Sequence, residues 1–184
     1  MAGMRQSGRG RSRGITLVEQ VMVVAILAVL AGIASPSLAG FVRRARVQSA
    51  QMDFLEALGY ARGEAVLRRS RVLFCPSLDK VRCSEESRWD GGWLVGVDND
   101  RDNQPDGAPL RIGEPHARLL ILSSEARRHV TFLSDGSASG SNLTLLFCSR
   151  DHAEEALGVV VSNSGRARGS RPRGKQVAGC SQEG

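Results

Sequence analysis

Glu19 stands where physical chemistry least favours a carboxylate. No residue from Gln20 to Val42 carries a charge, and residues 21–34 are an unbroken run of apolar side chains and glycine. Inside a bilayer a carboxylate costs at least ~2.5 kcal/mol and generally marks function. It calls for a cationic partner. A cut between Gly14 and Ile15 would create one, because the new α-amino group of Ile15 lies one helical turn from Glu19. That amine can neutralise the carboxylate in its own chain or in a neighbouring copy, giving assembly a contact that sets register.

The other reactive residue types are more dispersed. Cys75, Cys83, Cys148 and Cys180 allow three complete pairings, and no C-x-x-C pair or adjacent histidine set offers zinc a site. An extracytoplasmic head permits oxidation, and free thiols are the alternative in a reducing compartment. Asp98, Asp100, Asp102 and Asp106 alternate as in calcium loops, but Arg101 intrudes, Asn103 stands at the usual glycine and Pro109 at the twelfth position. The segment is read as a solvated acidic turn, with calcium as the alternative and no metal expected. His116, His129 and His152 are scattered. Cys148 and His152 are four apart, yet Cys148 is better used in a bridge. Neither G-x-S-x-G nor a P-loop occurs. The chain is expected to be a non-enzyme, with no cofactor and no small-molecule substrate.

After Gly165, the cations Arg166, Arg168, Arg171, Arg173 and Lys175 face one acid, Glu183, in a flexible segment punctuated by glycine and Pro172. Arginine forks match phosphate oxygens. No aromatic is interleaved for base stacking, so DNA binding there would be backbone-directed and tolerant of sequence. A hydrated basic loop, or one facing an anionic membrane, accounts for the same residues.

These groups are carried by 184 residues, 41% hydrophobic and 24% charged, with few aromatics. Such a composition excludes a wholly disordered or collagen-like chain and allows one domain plus an appendage. The net charge of +6 suggests nucleic acid until it is located. Arg5, Arg9, Arg11 and Arg13 carry much of it, and without them the basic and acidic residues number 21 and 19. Residues 1–14 are too polar to join a core and are read as a leader. Residues 15–36 are the membrane-spanning half of a long helix, since an uncharged run of this length at ~1.5 Å per residue crosses a ~30 Å hydrocarbon core. Pro36 should kink or loosen it near the bilayer exit. Residues 37–70 resume it as an amphipathic half, with Phe41, Ala45, Met52, Leu55, Leu58, Ala61 and Ala65 on the apolar stripe. Beyond Arg71, short β-like runs at 72–75, 93–97, 119–122, 130–133, 143–148 and 158–162, separated by turn residues, predict antiparallel sheet. The fold class is α+β: one long N-terminal helix laid on a small antiparallel head over residues 71–184.

Gly14-Ile15-Thr16-Leu17-Val18-Glu19, behind a short basic leader and ahead of an apolar run, resembles the class III signal of type IV pilins and type II secretion pseudopilins. In that family a prepilin peptidase cuts after the glycine and N-methylates the new terminus. That terminus is usually Phe where this chain has Ile15, and Gln20 replaces the usual apolar residue. Ordinary signal-peptidase cleavage near Ala34-Ser35 is the competing reading. The head adds a narrower likeness. Cys75 and Cys83 around a short loop, Trp89, Gly91-Gly92-Trp93-Leu94-Val95, an Asp/Asn-rich turn, and Ser164-Gly165-Arg166 before Cys180 resemble the GspH/FimT minor pilins and pseudopilins. Resemblance and spacing favour Cys75 with Cys83 and Cys148 with Cys180. The second bridge would close a loop of about 30 residues and contribute roughly 3 to 4 kcal/mol.

The resemblance implies a low-abundance subunit, single-pass in the cell inner membrane, with its head in the periplasm. Its implied partners are the prepilin peptidase and other pilins or pseudopilins, in a type II secretion pseudopilus or a type IV pilus. Gly165-Arg166-Ala167-Arg168 is also similar to the G-R-x-R element of DNA-binding FimT-type members. The alternative is therefore a minor pilin that acts in DNA uptake through Arg166, Arg168, Arg171, Arg173 and Lys175.

Overall fold

The computed structural model describes residues 16–124, 127–138, 140–150, 152–172 and 180, without the side chains of 33–37 and 152–154. Gly14, Ile15, Arg173 and Lys175 lie outside the described residues. Thr16 caps the first element: its Oγ1 accepts the Glu19 backbone N–H at 3.3 Å, in the T-x-x-E spacing of a capping box. Helix α1 then runs over Leu17–Arg68, and its backbone stays helical through Pro36. It ends in a Schellman motif. The Ser70 N–H donates to the Ala65 carbonyl at 3.2 Å, the Arg69 N–H donates to Val66 at 3.3 Å, and Arg69 takes the left-handed conformation at φ 53°.

The chain divides into two compact units after Phe41. In the first, the apolar side chains of α1 find no core: Leu17, Ile26 and Leu30 are 80%, 59% and 57% exposed. Among the described residues no helix is long and apolar enough to cross a membrane. The apolar run of the sequence continues past Gly32 into residues 33 and 34, whose side chains lie outside the description.

The second unit builds its core around the remainder of α1. Val47, Ala50, Phe54, Ala57, Ala61 and Ala65 recur every three or four residues, Leu58 lies beside Ala57, and all seven are buried. This stripe is rotated from the expected one. Leu58, Ala61 and Ala65 belong to both, but Phe41 and Met52 are exposed and Phe54 takes the centre. Four alanines let the backbone approach the sheets, so the largest side chain of the stripe decides its facing. Phe54 meets Phe74 and Phe147 edge-on at ring distances of 5.6 and 5.1 Å, and Trp89 and Trp93 close the cluster.

Two antiparallel four-stranded sheets supply the opposing faces, where the sequence predicted sheet without the division. The first contains β1 (Val72–Pro76), β2 (Trp93–Val97), β3 (Arg111–Gly113) and β5 (Val130–Phe132), in the order β3-β2-β1-β5. The second contains β4 (Leu119–Ser123), β6 (Leu143–Ser149), β7 (His152–Val161) and β8 (Ala167–Ser170), in the order β4-β6-β7-β8. β3 and β8 escape a hydrophobicity reading because they are short and carry Arg111, Arg168 and glycines. β3 also owes its position to Gly113, where any Cβ would collide with the Trp93 indole.

Candidate functional site

The first candidate region is the start of α1. The cap on Glu19 uses its backbone, and its carboxylate meets no partner among the described residues. Around it Leu17, Val18, Val21 and Met22 are all at least 60% exposed. Among the described residues this acid stands on an exposed apolar helix face without a counter-charge.

The second region is the β7–β8 hairpin. The Gly165 N–H donates to the Ser162 carbonyl at 2.8 Å and the Ser162 N–H donates to Arg166 at 3.1 Å, closing a three-residue loop with Gly165 in the left-handed region at φ 74°. A Cβ at Gly165 would lie 1.9 Å from the Gly136 carbonyl oxygen, so both the turn and the packing demand glycine here. Arg166 and Arg168 then alternate with Ala167 and are exposed, while Ala167 packs on the core. The segment expected to be flexible is thus in part an ordered edge strand, because pairing of Val161 with Ala167 through Gly158 with Ser170 captures it. Arg166, Arg168 and Arg171 are exposed and meet no partner among the described residues. Arg173 and Lys175 cannot be placed beside them, being outside the description.

The acidic turn brings the Asp98, Asp100 and Asp106 carboxylates within 4.8 Å of one another. Asp98 is fully buried and already has a cation: the Arg71 Nε lies 3.0 Å from its Oδ2, and Arg71 Nη2 donates to Asn103 at 2.8 Å. A hydrogen bond from the Asp102 N–H favours the charged form of Asp100. Desolvation and the negative charges of Asp102 and Asp106 outweigh it, leaving that carboxyl above its usual range. Asp102 turns instead to the Gln104 N–H, which it accepts at 2.7 Å. These carboxylates are the described groups best suited to a hard cation, with Arg71 as its competitor.

Cys75 joins Cys83 and Cys148 joins Cys180, with Cα separations of 5.5 and 5.8 Å. Cys148 is therefore unavailable as a nucleophile. His116 Nε2 lies 3.3 Å from Asp53, which also accepts the Trp93 Nε1–H at 3.2 Å. This is a tie between α1 and the head. His129 is half-buried against the Arg71–Asp98 pair.

One constellation has no counterpart in the sequence reading. Arg43, Arg46, Arg118 and Arg150 line a single cavity of about 300 Å³ together with Ala117, Leu119 and Ser149. No spacing rule could have gathered four arginines from three segments. The register of β4 with β6 does so, because Leu119 pairs with Ser149 and places the flanking arginines at one end of the ladder.

Comparison with known proteins gives this geometry a context. The family model for GspH, described as a type II transport protein, matches residues 50–165. The match ends one residue before Arg166 and begins well after Glu19. Among solved structures, the type IV minor pilin FimU of Pseudomonas aeruginosa strain PAO1 is similar in two crystal forms. One has 25% sequence identity and a TM-score of 0.59, covering 71% of this chain and 92% of that chain. The other has 26% identity and a TM-score of 0.55, covering 67% and 92%. No curated protein sequence matches.

Proposed function

The chain belongs to the GspH family, and from that membership we propose that it works as a minor pilin or pseudopilin subunit of an envelope filament. Prepilin peptidase cuts it after Gly14 and methylates the Ile15 amine. Residues 15–36 hold it in the inner membrane as a single pass, residues 37–70 continue the helix, and the head lies in the periplasm. It then joins other pilins or pseudopilins in a type II secretion pseudopilus or a type IV pilus, with Glu19 meeting an Ile15 amine to set register. It carries out no catalysis.

The observation that supports this reading is the start of α1, where consecutive Leu and Val side chains and an unpartnered Glu19 are exposed. Apolar surface of that extent must be covered by lipid or by like helices. Mass spectrometry of the mature N-terminus tests the processing step and should find N-methylated Ile15. A start near Ser35 would replace it with ordinary signal cleavage. Glu19→Val should leave cleavage intact and reduce incorporation into filaments at least tenfold; wild-type incorporation of this variant refutes the register role.

A second reading is favoured by the exposed side chains of Arg166, Arg168 and Arg171, on and beside the edge strand β8, which meet no partner among the described residues. In it the same subunit binds duplex DNA through Arg166, Arg168, Arg171, Arg173 and Lys175 and acts in DNA uptake. Five phosphate contacts would give a log-log salt slope of about −4.5. Gel shifts that are identical with and without Arg166→Ala plus Arg168→Ala would remove it.

A further inference from the structure

We propose that the cavity formed by Arg43, Arg46, Arg118 and Arg150 binds the phosphate of an anionic membrane lipid at the surface from which the head emerges. The inference rests on the reading of residues 15–36 as a membrane span and adds a ligand to it. Arg43 and Arg46 are three apart on α1 and share a face. Arg118 precedes β4 and Arg150 follows β6, and the pairing of Leu119 with Ser149 brings the two together. No carboxylate lines the cavity among the described residues.

Among the described residues, the nearby acids do not balance these cations. Glu155 Oε2 lies 3.6 Å from Arg43 Nε, too far for a hydrogen bond, while Oε1 accepts Arg44 Nε at 3.0 Å. Arg43 Nε is thereby buried without a hydrogen-bond acceptor. Asp90 Oδ2 accepts from Arg150 at 3.0 Å but also from Arg88 at 2.8 Å, so one carboxylate serves two guanidinium groups. Arg46 and Arg118 are exposed and have no partner among the described residues.

Four arginines lining one cavity suit a tetrahedral oxyanion, since a guanidinium offers a planar fork of donors to phosphate oxygens. Position selects the source of that phosphate. Arg43 follows directly on Val42, the last residue of the uncharged run, so no other charged residue separates the cationic cluster from the end of the proposed span at residue 36. Basic pockets at such a boundary hold lipid headgroups by charge and hydrogen bonding together. A free phosphate ion shares the chemistry but gains nothing from that placement.

The test uses the full chain in a neutral detergent, with native mass spectrometry reading retained lipid. Phosphatidylglycerol should remain bound and phosphatidylcholine should not. Arg46→Gln with Arg118→Gln should cut the retained fraction at least tenfold, whereas Arg166→Gln with Arg168→Gln should leave it unchanged. Neither pair contacts the core, so equal melting temperatures are expected for all three proteins. Equal retention of the two lipids, or retention indifferent to Arg46 and Arg118, overturns the proposal. So does a melting shift with inorganic phosphate that depends on Arg46 and Arg118 but has no counterpart with phosphatidylglycerol. Loss of cross-linking to other pilins with lipid retention intact also overturns it, in favour of a neighbouring subunit's carboxylate. Carbonate extraction of membranes reads insertion separately. A chain that is extractable yet holds phosphatidylglycerol through these arginines refutes the membrane span and upholds the pocket. An inserted chain without lipid preference does the reverse.

Discussion

Leu27 and Leu58 lie on the same helix, yet Leu27 is 58% exposed and Leu58 is fully buried. The difference is in what surrounds them. Around Leu58 two sheets contribute Phe74, Val95, Phe132, Leu145 and Phe147 to one contiguous core, so the hydrophobic effect of that half of α1 is satisfied within the chain. Among the described residues up to Phe41, the apolar side chains of α1 have no such partners. Local sequence therefore makes a helix in both units, but only the head has the material to complete one. The other unit needs an apolar environment supplied from outside, which is the physical basis for proposing lipid and sister helices.

This contrast can be broken most directly by truncating one large side chain in each unit. Phe54→Ala should destabilise the head by about 3–5 kcal/mol, while Leu27→Ala should leave its denaturant midpoint in detergent unchanged. A shift of comparable size from Leu27→Ala would mean that the two units share a core. Next in size is the bridge between Cys148 and Cys180, whose closed loop spans 32 positions. Replacing both cysteines by serine should cost roughly 3 to 4 kcal/mol, read as a lower urea midpoint. An unchanged midpoint under oxidising conditions would show that this staple does not support the head.

A smaller effect of opposite sign is expected at the end of α1. Arg69→Gly removes the strain of a side chain at φ 53° and should stabilise the head by about 0.5–1 kcal/mol. Destabilisation would show that the Arg69 side chain has a role beyond its backbone. The smallest effect concerns acid. Burial, then the charge of Arg71, partly offset by Asp98, and then Arg127 hold the His129 imidazole below its usual 6.5. The unfolded chain takes up that proton first, so stability is untouched above pH 6.5 and falls as the pH drops from there towards the lowered value. His129→Gln should flatten this limb in urea midpoints measured across a pH series, and a limb of the same slope in the variant would assign it to other groups.

Much of this molecule was legible from residue order. The uncharged run and the positions of β1, β2, β4, β5 and β6 follow from local pattern, because each depends on neighbours within a few residues, whereas β7 starts six residues before the run expected at 158–162. The facing of α1 was less legible: a stripe through Phe41 and Met52 is as periodic as one through Val47 and Phe54, and only the aromatic cluster in the sheets separates them. β8 was hidden for a related reason, since its four residues, Ala167 to Ser170, have low strand propensity and β7 holds it in register.

Sequence by itself determined which segment is apolar, that both ends carry the excess cations and where the helix begins, as properties of short stretches of chain. Tertiary structure alone decided that Gly165 is fixed by the Gly136 carbonyl, that Arg71 neutralises buried Asp98, and that arginines 43, 46, 118 and 150 share one cavity. Those are meetings between residues distant in the chain. Strand register and helix rotation set them, and both come from the packing of the whole head rather than from any window of sequence.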